Sequence, residues 1–284
     1  MTNNSMKLIR TIIFILSTFS SLVCIAQSGK LTGDSYSKAH PTEKIKLKSS
    51  YVNDREYIMH ITYPMDSLIP GKKYPVLYYT DAWTNVDYFN LMGNILINSK
   101  EIDPVILVGI SFDANMDEWI KLRGQDFLPN LTNPDSTNGA KNFLKFIKKE
   151  LIPYVEQHYP ADSTDRGFYG YSLGGLFATW ILKEDPMLFK RMGIGSPSLG
   201  YEDYLLLKDQ TLLNNINIIQ DLRVFVEYGT LEPERQKSGA ETLHGLLIAN
   251  ENIQVTKFIL DGSHFSAWPE TCVKALTYLY AKKK

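Results

Sequence analysis

Two short stretches constrain the fold of this chain more than anything else in it. Residues 74–80 (YPVLYYT) and 103–111 (DPVILVGIS) are almost continuously apolar and rich in β-branched and aromatic side chains. A strand with one wet face alternates apolar and polar residues, whereas a strand covered on both faces has no need to. These runs therefore predict central strands of a parallel sheet with helices on both sides. Residues 86–99 supply a crossover helix between them, and the alternation continues downstream. Residues 139–159 carry Phe143, Phe146, Ile147, Leu151 and Val155 three or four apart, an amphipathic helix that Pro153 kinks or divides. Residues 166–169, 192–195, 222–229 and 253–260 read as strands, and 176–183, 239–250 and 266–283 as helices. Upstream, residues 44–51 and 55–63 alternate around Asn53-Asp54, the pattern of an antiparallel hairpin. No repeat or linker interrupts the series. It predicts one doubly wound, mostly parallel α/β domain over residues 44–284 with an N-terminal antiparallel hairpin. Residues 113–138, with Gly124, Pro129 and Pro134, read as a long loop, and long loops in compact domains usually serve binding.

The N-terminus does not belong to that domain. Lys7 and Arg10 precede an apolar run from Ile12 to Ala26, and Cys24-Ile25-Ala26 ends it with small residues at the positions a signal peptidase needs. Residues 1–26 read as a signal peptide, and the polar residues 27–43 as a lead-in arm. The run is too short for a spanning helix, which needs roughly 20 residues. No stable membrane insertion is expected after cleavage, and the product is expected in the periplasm or outside the cell. Cleavage removes Lys7, Arg10 and Cys24 but no acid, which leaves 258 residues, takes the net charge from −1 to −3 and leaves Cys272 alone. The balance of 30 basic against 31 acidic side chains offers no basic face for nucleic acid. The oligomeric state has no sequence signature.

The chemistry concentrates at Gly170-Tyr171-Ser172-Leu173-Gly174, a G-x-S-x-G sequence between a strand and a helix. There a strand turns so sharply into a helix that the serine is strained and exposed, and flanking glycines let the two elements approach. Such a serine needs a general base and a group that orients the base. The chain order serine, acid, histidine leaves His244 and His264 as bases. His244 falls within a helical pattern, whereas His264 follows a buried strand, at the end of the sheet where such folds place their sites. The acid comes from the loop after residues 222–229, with Glu232 as first choice, Glu234 as second, and Glu227 and Asp221 behind them. The oxyanion donors expected are the N–H of Leu173 and one from the loop after residues 74–80, at Ala82 or Trp83. No His/Asp/Glu/Cys cluster or dinucleotide fingerprint points to a metal or an organic cofactor.

With these residues in view, the chain resembles the esterase D and enterochelin-esterase branch of the α/β-hydrolases. That group also holds feruloyl esterases and mycolyltransferases. The resemblance lies in residues 74–81, 123–129 (RGQDFLP), 143–159, 170–175, 195–198 (GSPS), 229–232 and 262–264. It implies an α/β-hydrolase fold, a Ser172, Glu232 and His264 triad, and hydrolysis of a small-molecule or glycan ester. One departure is Asp81-Ala82 in place of the Asp-Gly found in many relatives. Trp83, Arg123, Tyr171 and Trp268 are the residues expected to touch substrate, and sugar, feruloyl or siderophore esters suit an aromatic pocket. Acyl transfer on the same fold, or an inactive carbohydrate- or siderophore-binding module, are the other functions open to such a chain.

Overall fold

A computed structural model describes residues 42–53, 55–64, 69–133 and 139–282. The signal peptide, all of the arm but Thr42 and Glu43, Asp54 of the hairpin turn and Pro134 lie outside the described residues. Eight strands form one sheet in the order β1-β2-β4-β3-β5-β6-β7-β8. Strands β1 (Thr42–Lys48) and β2 (Glu56–Thr62) are antiparallel to each other, and β2 runs antiparallel to β4 (Ile106–Ser111). From β4 through β3 (Tyr74–Tyr79), β5 (Ala161–Tyr171), β6 (Arg191–Gly195), β7 (Leu222–Gly229) and β8 (Ile253–Leu260) every pairing is parallel. The expected α/β-hydrolase fold, with a mostly parallel sheet and an antiparallel N-terminal hairpin, is the fold observed.

The continuously apolar runs are where that pattern puts them. All of β4 is buried, and β3 is buried except at Pro75. The edge strand β1 alternates instead and presents Lys44, Lys46 and Lys48, charges that discourage pairing with another chain. Alternate side chains of the central strands enter two separate cores. Phe168 of β5 packs with Phe143, Phe146 and Phe177 on one face. Tyr169 and Tyr171 pack with Phe89 of α1 (Ala82–Asn98) and with Cys272 and Leu276 of α8 (Trp268–Leu279) on the other.

Several elements differ from expectation. The stretch 113–138 is not simply a loop: α2 (Met116–Phe127) occupies its first half, with the Asn115 side chain accepting from Glu118 N–H at 3.0 Å as N-cap. Trp119, Arg123 and Phe127, four residues apart, form its buried face. The arginine in the middle of that stripe disguises it as polar. The helix around Pro153 runs as α3 (Gly139–Phe146), a π-helical turn (Ile147–Leu151) and α4 (Ile152–His158). Ile152 N–H bonds to Ile147 O five residues back, so one extra residue is absorbed just before the proline, which sits in the first turn of α4. Helix α1 begins at Ala82 and not near Val86, because Asp81 adopts a left-handed conformation that starts the helix early. The remaining α-helices are α5 (Leu173–Glu184), α6 (Gln210–Ile218), which follows a 3-10 segment (Tyr201–Lys208) and like it was not expected, and α7 (Glu234–Ile248), which starts five residues before the expected Gly239.

Candidate active site

The C-terminal ends of β3, β5, β6, β7 and β8 converge on one region. Ser172 stands between β5 and α5 with φ 59° and ψ −116°, a conformation a side-chain-bearing residue rarely takes. Three backbone bonds hold it there: Ser172 N–H donates to Gly195 O, and Ser172 O accepts from Leu176 and Ser198 N–H, each at 3.0 Å. The flanking glycines are required by contact. A Cβ on Gly170 would lie 2.1 Å from the Gly174 carbonyl oxygen, and one on Gly174 would lie 2.4 Å from Thr80 Oγ1. The second contact also shows how closely the start of α5 abuts the end of β3. Ser172 Oγ lies 3.4 Å from Ser198 Oγ.

His264 follows β8, and its backbone carbonyl accepts a 2.7 Å hydrogen bond from Tyr171 Oη. Its Nδ1 lies 3.1 Å from Glu232 Oε2. Glu232 is buried in the loop after β7, with Oε1 accepting from Gly229 N–H at 3.1 Å and Oε2 from Ser196 Oγ at 2.5 Å. Burial pushes its carboxyl upward, but the bonds from His264, Ser196 and Gly229 outweigh that and hold it below the usual value. Glu234, the other choice, opens α7 with its side chain 82% exposed and paired to Lys237 at 3.2 Å. The structure thus brings Glu232 and His264 together and leaves Glu234 outside. Glu227 is fully buried within β7, and Asp221 precedes that strand at its opposite end.

Ser196 carries no expected role, yet it is central to this arrangement. Its Oγ lies 3.0 Å from His264 Nδ1 as well as 2.5 Å from Glu232, and Gln236 donates to its carbonyl and, at 3.3 Å, to its hydroxyl. Like Ser172, it has positive φ, at 36°. A serine two residues before another in a loop shows no periodicity, so its only sequence signal is membership of the Gly195-Ser196-Pro197-Ser198 segment.

The expected oxyanion donors begin helices. Leu173 is the first residue of α5 and Ala82 the first of α1, and the N–H groups of a helix's first turn have no intrahelical acceptor. Trp83 comes next, 40% exposed, its ring 5.5 Å from that of Trp119. The left-handed residue is Asp81, with φ 60°, so Ala82 in place of glycine meets no conformational obstacle.

Ser172 and His264 border a cleft of about 470 Å³ whose other walls include Met116, Trp119, Ile120, Phe265 and Trp268. Tyr171 and Trp268 stack at 5.1 Å with 7° between their planes, and both line the cleft, although Tyr171 itself is buried. Arg123 also lines it, but its Nε and Nη2 bind the Asp81 carboxylate at 2.6 and 2.9 Å. Met116 and Ile120 were hidden from sequence reasoning with the rest of α2. A second cleft of about 420 Å³ adjoins Leu173 and Ser198 on another side, with Tyr201, Arg235 and Gln236 around it. Among the described residues no group of three or more His, Cys, Asp or Glu side chains is placed to hold a metal ion.

This geometry can be set beside known proteins. The model of an esterase family, described as "Putative esterase", matches residues 49–257. Ferri-bacillibactin esterase BesA of Bacillus subtilis is 26% identical over 266 residues, 84% of this chain and 89% of that protein. The crystal structure of the BES protein from Bacillus cereus superposes with a TM-score of 0.76 at 27% identity, over 85% of this chain and 96% of that one. Siderophore hydrolase EstA from Aspergillus nidulans, at 17% identity and TM-score 0.72 over 85% and 94% of the two chains, shares the fold. The family match spans well over half of the chain, and together with an elbow serine at the end of the central strand it leads to one conclusion: the chain belongs to this esterase family and is an ester hydrolase of α/β-hydrolase fold.

Proposed function

We propose that the chain is an exported serine esterase working through Ser172, His264 and Glu232. The observation that carries this is the hydrogen bond from buried Glu232 to His264, which borders one cleft together with the strained Ser172. Ser172 Oγ attacks the ester carbonyl carbon while His264 Nε2 takes its proton. The tetrahedral oxyanion turns to the N–H groups of Leu173 and Ala82 at the starts of two helices, where backbone dipoles favour negative charge. The intermediate collapses as the C–O bond to the alcohol breaks, and the leaving oxygen takes the proton back from His264. Water then repeats the sequence on the acyl-enzyme, and Glu232 holds the imidazole in place through both halves.

The substrate class we assign is the esters of siderophores of aryl-bearing type. Two things support it: relatives named as siderophore esterases, and a cleft walled by Trp119, Trp268 and Phe265 that suits a flat aromatic group. The apolar run before Gln27 supports export. Ser172→Ala is expected to abolish both labelling by a fluorophosphonate probe and hydrolysis of aryl and catecholate-siderophore esters. Hydrolysis that survives this substitution would end the serine mechanism. A panel adding feruloyl and acetyl-sugar esters tests the substrate class, and an added alcohol acceptor detects acyl transfer. N-terminal sequencing of protein recovered outside the cytoplasm is expected to begin at Gln27.

A further inference from the structure

The Asp81–Arg123 pair is buried where two of the proposed site's elements meet. Asp81 is 1% exposed and Arg123 8% exposed. The guanidinium binds both carboxylate oxygens, at 2.6 and 2.9 Å, and Nη2 also lies 3.4 Å from Tyr171 O, the carbonyl just before Ser172. Its flat face rests on Trp119 at 4.5 Å, with Phe127 at 5.6 Å, so the head group is fixed from the α2 side as well. Asp81 holds φ 60° and ψ 35° and stands directly before Ala82; its carboxylate caps no N–H of α1 and turns to Arg123 instead, while Thr84 Oγ1 of α1 donates to its backbone carbonyl at 3.0 Å. Burial pushes the Asp81 carboxyl up and the arginine opposes it. Without its partner, that carboxylate must take a proton or swing toward water, because an uncompensated charge is not tolerated in such a place. Either response moves the residue that aims the first N–H of α1.

We propose that Arg123 is a positioning residue: by clamping the Asp81 carboxylate and the Tyr171 carbonyl together, it sets the Ala82 N–H at its working distance from Ser172. The inference rests on the serine-esterase mechanism above and adds to it. It also assigns a role to α2, which delivers the arginine from a segment outside the central sheet. Arg123 then acts on the transition state through the backbone and not by binding substrate with its own nitrogens.

The test compares wild type, Arg123→Lys and Asp81→Asn on p-nitrophenyl acetate and its thionoester, both too small to fill the cleft. A thiocarbonyl gains little from oxyanion donors, so the ratio of oxoester to thionoester rates reports on those donors. The ratio is read on one sample and does not depend on the folded fraction. For each variant kcat on the oxoester is expected to fall about 10²- to 10³-fold, as when one oxyanion donor is lost, with the rate ratio falling about tenfold or more. KM is expected to stay within about threefold of wild type. An unchanged ratio, or a loss confined to KM as for a substrate-binding arginine, overturns the proposal. Failure of both variants to fold also counts against it, since that would make the pair a stability element. If wild type itself is not labelled by the fluorophosphonate probe, the serine mechanism fails first. A labelled wild type with unmoved ratios in the variants defeats this inference alone.

Discussion

Ser196 has one hydroxyl proton and two lone pairs, and its neighbours decide how each is used. The Glu232 carboxylate only accepts, so the proton goes to Oε2 across 2.5 Å. The Gln236 amide N–H and His264 Nδ1 then meet the lone pairs, at 3.3 and 3.0 Å, which requires Nδ1 to carry a hydrogen. In the neutral imidazole the opposite nitrogen, Nε2, is then the one without a hydrogen, as the proposed general base requires. Ser196→Ala is expected to lower kcat about tenfold with little change in KM, the scale of one hydrogen bond to a charged group. Glu232→Gln is expected to cost on the order of 10³- to 10⁴-fold in kcat, because an amide has no charge to stabilise the imidazolium and can present N–H to Nδ1, which favours the wrong tautomer. Glu234→Gln, at a solvated side chain, should stay within about twofold, which steady-state kinetics on one aryl ester would establish. Ser172 and His264 were legible because a glycine-flanked serine and the chain order leave few partners. Ser196 was not, and Arg123 was expected at the pocket only as a substrate contact, because the bonds of Ser196 to Glu232 and of Arg123 to Asp81 join segments far apart in sequence.

At the scale of elements, the buried strands declared themselves because a surface covered on both faces admits only apolar residues. Boundaries were less visible: α1 starts four residues early, after Asp81 turns left-handed and its carboxylate meets Arg123 from a segment far along the chain. Helix α2 went unseen for a related reason, its buried stripe containing a charge whose partner lies on another element. The elbow, by contrast, follows directly from its glycines. Gly170→Ala would force a Cβ to 2.1 Å from a carbonyl oxygen in the backbone of α5, where no flexible side chain can yield. We expect it to destabilise the fold by about 2–4 kcal/mol, measured as a lower midpoint of urea unfolding with fluorophosphonate labelling lost in parallel. At α2, Asn115→Ala removes a cap worth about 1 kcal/mol and is expected to reduce activity along with stability, since this helix carries Arg123 and part of the cleft.

For the whole molecule, the sum of charges is near zero, so its pH response is set by a few buried acids that pull in opposite directions. Glu232 has its pKa depressed on folding, so its contribution is present above the unfolded value and is lost as pH falls through the folded one. Glu227 does the reverse. Buried on β7 among Tyr169, Tyr171, Cys272 and Thr271, it is pushed by desolvation up to about 8; the Thr271 hydroxyl opposes the rise, and the Glu232 and Glu270 charges reinforce it. Below the ordinary value of 4.5 both folded and unfolded states hold its proton and it costs nothing. Between 4.5 and about 8 the unfolded chain releases that proton while the folded chain keeps it, so stability falls as pH rises. The slope is about 1.4 kcal/mol per pH unit, an upper bound for a group that can relax. Glu227→Gln retains the shape and removes the titration. Urea unfolding across pH 4.5 to 8.5 is expected to show the variant level with wild type at the acid end and progressively more stable toward pH 8, by a few kcal/mol. A constant offset between the two proteins over that range would mean that Glu227 is ionised in the fold, and that its environment supplies a positive partner not evident in its surroundings.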